Sequence, residues 1–484
     1  MVFANKSVCL AAAISLLVGS TWLPRAEAAV RVLNVQDFGA IPDGVHDDQA
    51  ALESVFKIAN SSPGSFVTFP PGSYLHSGRL SAGREITIEG TNATLLGANA
   101  NAQSLTIIGD GTTVTGMTFS GVSGGDPAIT FNGRTDITIT QNTFHGFTDC
   151  IDVTNSKLVF ITKNQLAPGT NGSGVRDTSG SVIRITGNTF TGFNPPNSQT
   201  GVLFSASDVR VDNKNTFTNL TVGANVTNSK AVVIDKNTFE HCQTVIGSDG
   251  ASNLTVSNNG CSSGNTFFDG LNVGTKELSV NFNQVSIFTA GFKNFKDNFD
   301  STISFNTFQS VGTILASSNN TNLFLRANNI FSSGVGFNSQ LDKNIQIDKN
   351  IFQTCVSPIN LQSDQSVLVV GNGIVTGDGI KVGNSTNVGV AENRLTNIQN
   401  QGVLSTNNNG AVQIVRNVMT NCGLSAGISP PAVVFASGAV DLQISKNSYT
   451  GSTDHLQFFI DTPVLGAAVI GNTTNTGLPN KIGP

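Results

Sequence analysis

Short runs of alternating apolar and polar residues recur along most of the chain. ITITQN, VFITKN, IRITGN, VVIDKN, IQIDKN, VGVAEN, VQIVRN and LQISKN all alternate, and all end in Asn. Strict alternation predicts a half-buried strand. The terminal Asn falls at positions 142, 164, 188, 215, 237, 265, 283, 306, 328, 350, 372, 393, 417, 447 and 472, mostly 21 to 24 residues apart. Two residues after it comes an apolar side chain in nearly every case, from Phe144, Leu166, Phe190, Phe217, Phe239 and Phe267 to Phe308, Phe352 and Tyr449. A second strand precedes each Asn, as in AITF (128–131), CIDV (150–153), GVLF (201–204), PINL (358–361) and GIKV (379–382).

A unit of two or three short strands cannot bury its apolar face alone, and a fixed period of this length is the mark of a solenoid. Stacking each strand on its copy ~4.8 Å away makes parallel sheets that run the length of the molecule. The fold predicted is all-β, a single-stranded right-handed parallel β-helix over residues 128–472. The Phe column stacks inside it. The Asn column sits at a turn, where Asn tolerates the left-handed conformation and its amide bonds the Asn above and below. Asn194–Gln199, Ser257–Gly264 and Leu424–Pro431 lengthen their coils and are expected to bulge as loops, and the coil ending at Asn283 is short. Residues 473–484 read as a polar tail.

Composition narrows the partners. The 484 residues carry only 12% charged side chains and a net charge of −5, too little positive charge to neutralise a run of phosphates, so nucleic acid is excluded as a partner. At the N-terminus, Lys6, the apolar run Val8 to Gly19 and Ala26-Glu27-Ala28 read as a secretory signal peptide over residues 1–28. Beyond it no apolar run is long enough to span a membrane. The expected location is secreted or periplasmic, with no membrane insertion. Without Cys9, five cysteines remain: Cys150, Cys242, Cys261, Cys355 and Cys422. An odd count argues against a disulfide framework. Cys242, Cys355 and Cys422 each lie five residues after a repeat Asn, so they share one column on separate coils and are expected to be buried thiols. Whether Cys242 pairs with Cys261 stays open. No His/Cys cluster has metal-ligand spacing and no Gly-rich loop suits a phosphate, so no cofactor is expected.

Residues 29–127 differ from the repeats. Val35 to Ala59 reads VQDFGAIPDGVHDDQAALESVFKIA, in which Asp47 is a plausible N-cap and Ala50, Ala51, Val55 and Ile58 form an apolar stripe. FVTFPPGSYLHSG and REITIEGTNATL follow as strands. A helix here would close the first coil as a lid. DFGA, then DG and DD, a helix and FPPGSY together resemble the opening of the pectate lyase superfamily, which includes polygalacturonase-like and rhamnogalacturonase-like proteins and phage tailspikes. The resemblance implies a β-helix with an N-terminal α-helical cap and an acidic polysaccharide as partner. It implies a structural role for the opening, so Asp43, Asp47 and Asp48 are not read as catalytic. The polygalacturonase motifs Asn-Thr-Asp, Gly-His-Gly and Arg-Ile-Lys are absent from the repeats, and the acidic clusters of calcium-dependent pectate lyases are not visible.

Site candidates come from the repeat geometry instead. The position about twelve residues before the Asn points outward and reads Thr130, Asp152, Arg176, Leu203 and Asn225, then Asn360 and Lys381. Asp149 lies three before Asp152, and Asp177 follows Arg176. Asp149, Asp152, Arg176 and Asp177 therefore gather on two neighbouring coils of a charge-poor chain, and the expectation is that they share one outward face. Two carboxylates suit glycoside hydrolysis. An arginine that neutralises a uronate carboxylate while a neighbour removes the adjacent proton suits elimination or epimerisation. The plain alternative is a surface ion pair. His145 is the nearest histidine. A second column, Lys163, Lys214, Lys236, Lys349, Arg416 and Lys446, stands just before the Asn and reads either as a basic ridge or as solubilising turn residues. Two function classes remain: an enzyme on an acidic polysaccharide (lyase, hydrolase or epimerase), and a non-catalytic surface or matrix scaffold. Favouring the second, Tyr74 and Tyr449 are the only tyrosines and Trp22 lies in the signal segment, leaving few of the usual sugar-stacking side chains.

Overall fold

The computed structural model describes residues 30–484 except 100–103, 195, 425–431, 440, 452–455, 462–466, 475–480 and 483–484. The signal segment therefore lies outside the described residues, as does all of the 424–431 insertion but Leu424.

The strands stack as three parallel sheets around a right-handed coil, with each strand hydrogen-bonded to its copy one coil away. In the first sheet, Ile151–Thr154 pairs with Ser173–Asp177, which pairs with Thr200–Ser205. The second sheet contains Lys157–Thr162, Val182–Thr186 and Asp208–Asp212. The third contains Gln165–Ala167, Thr189–Thr191 and Thr216–Thr218. Its inward residues are the apolar column: Phe190, Phe217 and Phe239 lie in register, with ring centroids 4.5 and 4.6 Å apart and nearly parallel planes.

An α-helix, α1 (Gln49–Ser61), covers the first coil and buries Leu52, Val55, Phe56 and Ala59. Burying each large apolar side chain contributes about 1.5–3 kcal/mol. Two details differ from the sequence reading. Ala50 is exposed, because the buried stripe runs through Leu52 and Phe56. The residue before the helix is Asp48, whose Oδ1 accepts from Ile41 N at 2.7 Å, while Asp47 Oδ1 accepts from Gln49 N at 3.1 Å. Both carboxylates hold the cap together.

The Asn ladder forms between the second and third sheets. Asn306 shows the unit: its backbone N and its Nδ2 both donate to Asn328 Oδ1, at 3.0 Å each, and Nδ2 also donates to Val280 O at 2.8 Å. The same bonds link Asn142 through Asn472. The ladder departs from the sequence reading at one rung, which is Asn259 and not Asn265. Asn265 is followed two places on by Phe267, as the repeat demands, but the apolar column on this coil is filled by Cys261, opposite Phe239 and Val285. With Asn259 in place the rungs are 22 and 24 residues apart. The short coil before Asn283 disappears. So does the expected loop at Ser257–Gly264, where Thr255–Ser257 and Gly260–Gly270 are strands. The left-handed residue is also not the Asn but the one before it, for example Lys163, Lys236, Phe282, Lys349 and Glu392, with φ between 55° and 58°.

A second buried ladder was not foreseen. Between the first and second sheets, Asn298, Asn320, Asp342, Asp364 and Ser385 occupy one inward column, and each backbone N donates to the side chain of the next coil. Strand pairing continues past Asn472, with Thr473–Thr474 against Ser448–Tyr449 and Lys481–Ile482 against Phe459–Ile460.

All five described cysteines are free and buried, Cys242 and Cys261 included. Burial raises the thiols of Cys242, Cys355 and Cys422 to about 12. At neutral pH these five cysteines are therefore expected to react negligibly with a thiol reagent within minutes in the native protein and to label at all five positions once it is unfolded. Fast native labelling counted by mass spectrometry would contradict this packing.

Candidate functional site

The site is built by two adjacent strands of the first sheet. Asp152 lies directly opposite Arg176, Ile151 opposite Val175, and Val153 opposite Asp177. Successive side chains on a strand face opposite ways. Asp152 and Arg176 consequently point outward, while Ile151, Val153, Val175 and Asp177 point into the coil and are fully buried.

This alternation splits the four expected residues. Asp177 does not join the outward group. Its carboxylate accepts from Ser179 N at 3.2 Å, Ser181 N at 3.3 Å, Ser181 Oγ at 2.9 Å and Ser207 Oγ, and so organises the inner turn between the first and second sheets. Asp149, Asp152 and Arg176 are brought together. The Asp149 carboxylate is buried except for 7% of its side chain. Its Oδ1 accepts from Ser173 N at 2.8 Å and its Oδ2 from Arg176 Nη1 at 3.3 Å. Ser173 was missed because a backbone donor leaves no trace in the sequence.

Arg176 reaches past its register partner to Asp149, which leaves Asp152 without a hydrogen bond: its Oδ1 is buried and has no partner. Burial pushes the Asp152 carboxyl above the ordinary range. The Arg176 charge opposes that shift, and the charges of Asp149 and Asp177 add to it. The three residues thus form an anchored carboxylate, a guanidinium with 42% of its side chain exposed, and a carboxyl whose charged form is disfavoured. Separating the environments of two carboxylates in this way is the usual means of giving them different acid–base roles.

Neighbouring features frame the face. On the coil after Arg176, Gln199 is fully buried, and its Oε1 accepts from Phe193 N and Asn197 N at 3.4 and 3.0 Å. Further along the outward column Asn225 Oδ1 is likewise buried and unpartnered. His145 lies on a strand of the third sheet, Thr143–Phe147. Its neighbours in register are Ser120 and Ala167, so it is on another face. The lysine column is exposed at the turn, but it is broken by Asn258, Phe282, Phe305 and Ala327, and Arg416 is paired with Glu392 at 2.7 Å. Both tyrosines, Tyr74 and Tyr449, are buried. No described helix is long and apolar enough to cross a membrane.

Comparison with known proteins adds the lineage. Residues 32–272 match the family described as rhamnogalacturonase A/epimerase, pectate lyase-like, and residues 290–451 match the right-handed β-helix region. The chain belongs to the pectate-lyase-like right-handed β-helix proteins. The first match includes Asp149, Asp152 and Arg176. Mannuronan C5-epimerase AlgE1 of Azotobacter vinelandii is 36% identical over 116 residues, which is 22% of this chain and 8% of the epimerase. The chain therefore spans under a tenth of that relative's length. Two solved structures are among those this chain is similar to. The surface adhesin PfbA of Streptococcus pneumoniae has 14% identity and a TM-score of 0.37, covering 79% of this chain and 90% of that one. The family 28 exopolygalacturonase of Yersinia enterocolitica has 12% identity and a TM-score of 0.33, covering 93% and 79%.

Proposed function

We propose that this pectate-lyase-like β-helix acts on an acidic polysaccharide outside the cytoplasm, at the outward face that carries Asp149, Asp152 and Arg176. The observation that carries the reading is the unpartnered, half-buried Asp152 carboxyl beside an exposed guanidinium. A uronate carboxylate placed on the free donors of Arg176 loses much of its negative charge, which acidifies the hydrogen on the carbon next to it. Asp152, once ionised, is a stronger base than an ordinary aspartate because its site disfavours the charge, and it is placed to take that hydrogen as a proton. Asp149 and Ser173 hold the guanidinium in position. Loss of the leaving-group oxygen then gives elimination, and return of a proton to the opposite face gives epimerisation. The match to a mannuronan C5-epimerase supports this class of chemistry. The signal-like segment at residues 1–28 supports export.

A second reading keeps the binding and drops the chemistry. The burial of Tyr74 and Tyr449 favours it, since neither can stack on a sugar. Incubation with polymannuronate, polyguluronate and polygalacturonate separates the two. The expected result is unsaturated-product absorbance, or a change in the C5 configuration seen by NMR, on one of these polymers. New reducing ends without unsaturation would point to hydrolysis, and binding without any product would establish the scaffold reading.

A further inference from the structure

A second polar cluster lies on the same outward face, far from the first. The outward column runs in register through Asp152, Arg176, Leu203, Asn225, Gly247, Asp269 and Lys293. After an irregular step it continues through Ala316, Asn338, Asn360 and Lys381. Lys381 is thus nine coils beyond Arg176, or ~43 Å at the strand spacing of a sheet. Asp378 stands three residues before Lys381, as Asp149 stands three before Asp152. Its Oδ2 accepts from Lys381 Nζ at 2.6 Å, and its Oδ1 accepts from Asn400 Nδ2 at 2.5 Å on the next coil. Beside Lys381, Asn360 Nδ2 donates to Asn338 Oδ1 at 2.8 Å, and Gln362 Nε2 donates to Asn360 Oδ1 at 3.4 Å.

Two features set this cluster apart from solvated surface pairs. The Lys381 side chain is only 29% exposed, whereas Lys293 and Lys236 in their own pairs are 58% and 61% exposed. Asp378 is also held from its own coil and from the next, by Lys381 Nζ and by Asn400 Nδ2. Lys381 Nζ carries three donors and Asp378 takes one. The chained amides consume acceptors, and Asn338 keeps its donors. The cluster is therefore a fixed, donor-rich cradle without an aromatic platform, suited to a ligand rich in hydroxyl and carboxylate oxygens.

We propose that Asp378, Lys381, Asn360 and Asn338 form a second uronate-binding site, distal to Arg176 on the same face. This inference rests on the reading that the ligand is a uronate polymer. It adds that one long chain lying along the face engages both ends at once, with Lys293, 4.0 Å from Asp269, between them. Two linked contacts raise the affinity for a spanning chain well above that of either site alone.

Calorimetric titration with oligomannuronate and oligogalacturonate of four residues, and with the parent polymers, tests it on the whole chain. The expected stoichiometry is two tetrasaccharides per chain, falling to one in Lys381→Ala and to one in Arg176→Ala. Lys381→Ala should also weaken polymer binding by at least about tenfold by removing the second anchor. Lys381→Gln, which keeps the stem packed, controls for folding and should behave as Lys381→Ala does. A single tetrasaccharide lost only in Arg176→Ala would overturn the distal site and leave the first standing. A single tetrasaccharide lost only in Lys381→Ala would support the distal site and remove the first. No binding of either uronate series to the wild type would overturn both.

Discussion

Asp152→Asn is expected to lose at least about 100-fold in turnover on whichever uronate polymer the chain processes, the range for removing a positioned acid or base. The same substitution should not lower stability at neutral pH. The Asp152 carboxyl is raised in the folded state, so the fold binds its proton more tightly than the unfolded chain does. Its contribution is most favourable at acid pH and is lost as pH rises from the ordinary aspartate range through the raised value. At neutral pH the ionised group is a burden to the fold, and a neutral amide of the same shape relieves it. Activity assays paired with denaturant titration check both halves. Full activity in Asp152→Asn would remove Asp152 from the chemistry. Full loss accompanied by a clear fall in stability would mark it as a structural residue.

Asp364→Asn is expected to stabilise the protein at pH 7 by up to about 3 kcal/mol, the worth of a displacement of roughly two pH units. Asp364 is raised to about 6 by burial, and the Asp342 carboxylate pushes it the same way. Ser339 Oγ donates to its Oδ2 at 2.6 Å and Asp342 N to its Oδ1 at 2.8 Å, but no cation is among its contacts. The folded protein thus holds more protons than the unfolded chain between pH 3.8 and about 6, and its stability falls as pH rises through that window. Asparagine already fills this column at Asn298, Asn320 and Asn408, so the substitution fits the ladder. The difference between variant and wild type should shrink toward zero below about pH 4. A variant less stable than wild type at pH 7, or a difference independent of pH, would contradict this account of the second ladder.

The fold was legible because its period repeats, and the errors occurred where one position had to be judged alone. Cys261 is small and buried enough to fill a phenylalanine's place, so Asn265 and Phe267 match the spacing of the repeat without belonging to the ladder. The second ladder mixes Asn, Asp and Ser, since each supplies one oxygen to the backbone N of the coil before, and no single residue type marks it. The left-handed turn residue was assigned to Asn on preference, yet Lys, Phe and Glu occupy it, because the stack fixes the backbone there whatever the side chain. At the site, the pairing of Asp152 with Arg176 followed from coil register alone. The inward turn of Asp177 followed from alternation and could have been read from its neighbour. That Arg176 binds Asp149 and leaves Asp152 orphaned depends on side-chain reach, which spacing does not encode.

The central claim is that Arg176 recognises a uronate carboxylate on this face. It is tested most directly by comparing the binding of a uronate polymer with that of the same polymer after chemical reduction of its carboxyl groups, in Lys381→Ala, where Arg176 is the anchor that remains, and in the Arg176→Ala, Lys381→Ala double variant. Lys381→Ala is expected to prefer the uronate form by about 10- to 100-fold, the worth of a hydrogen bond to a charged group, and the double variant to lose most of that preference. A double variant that still discriminates as Lys381→Ala does would contradict it.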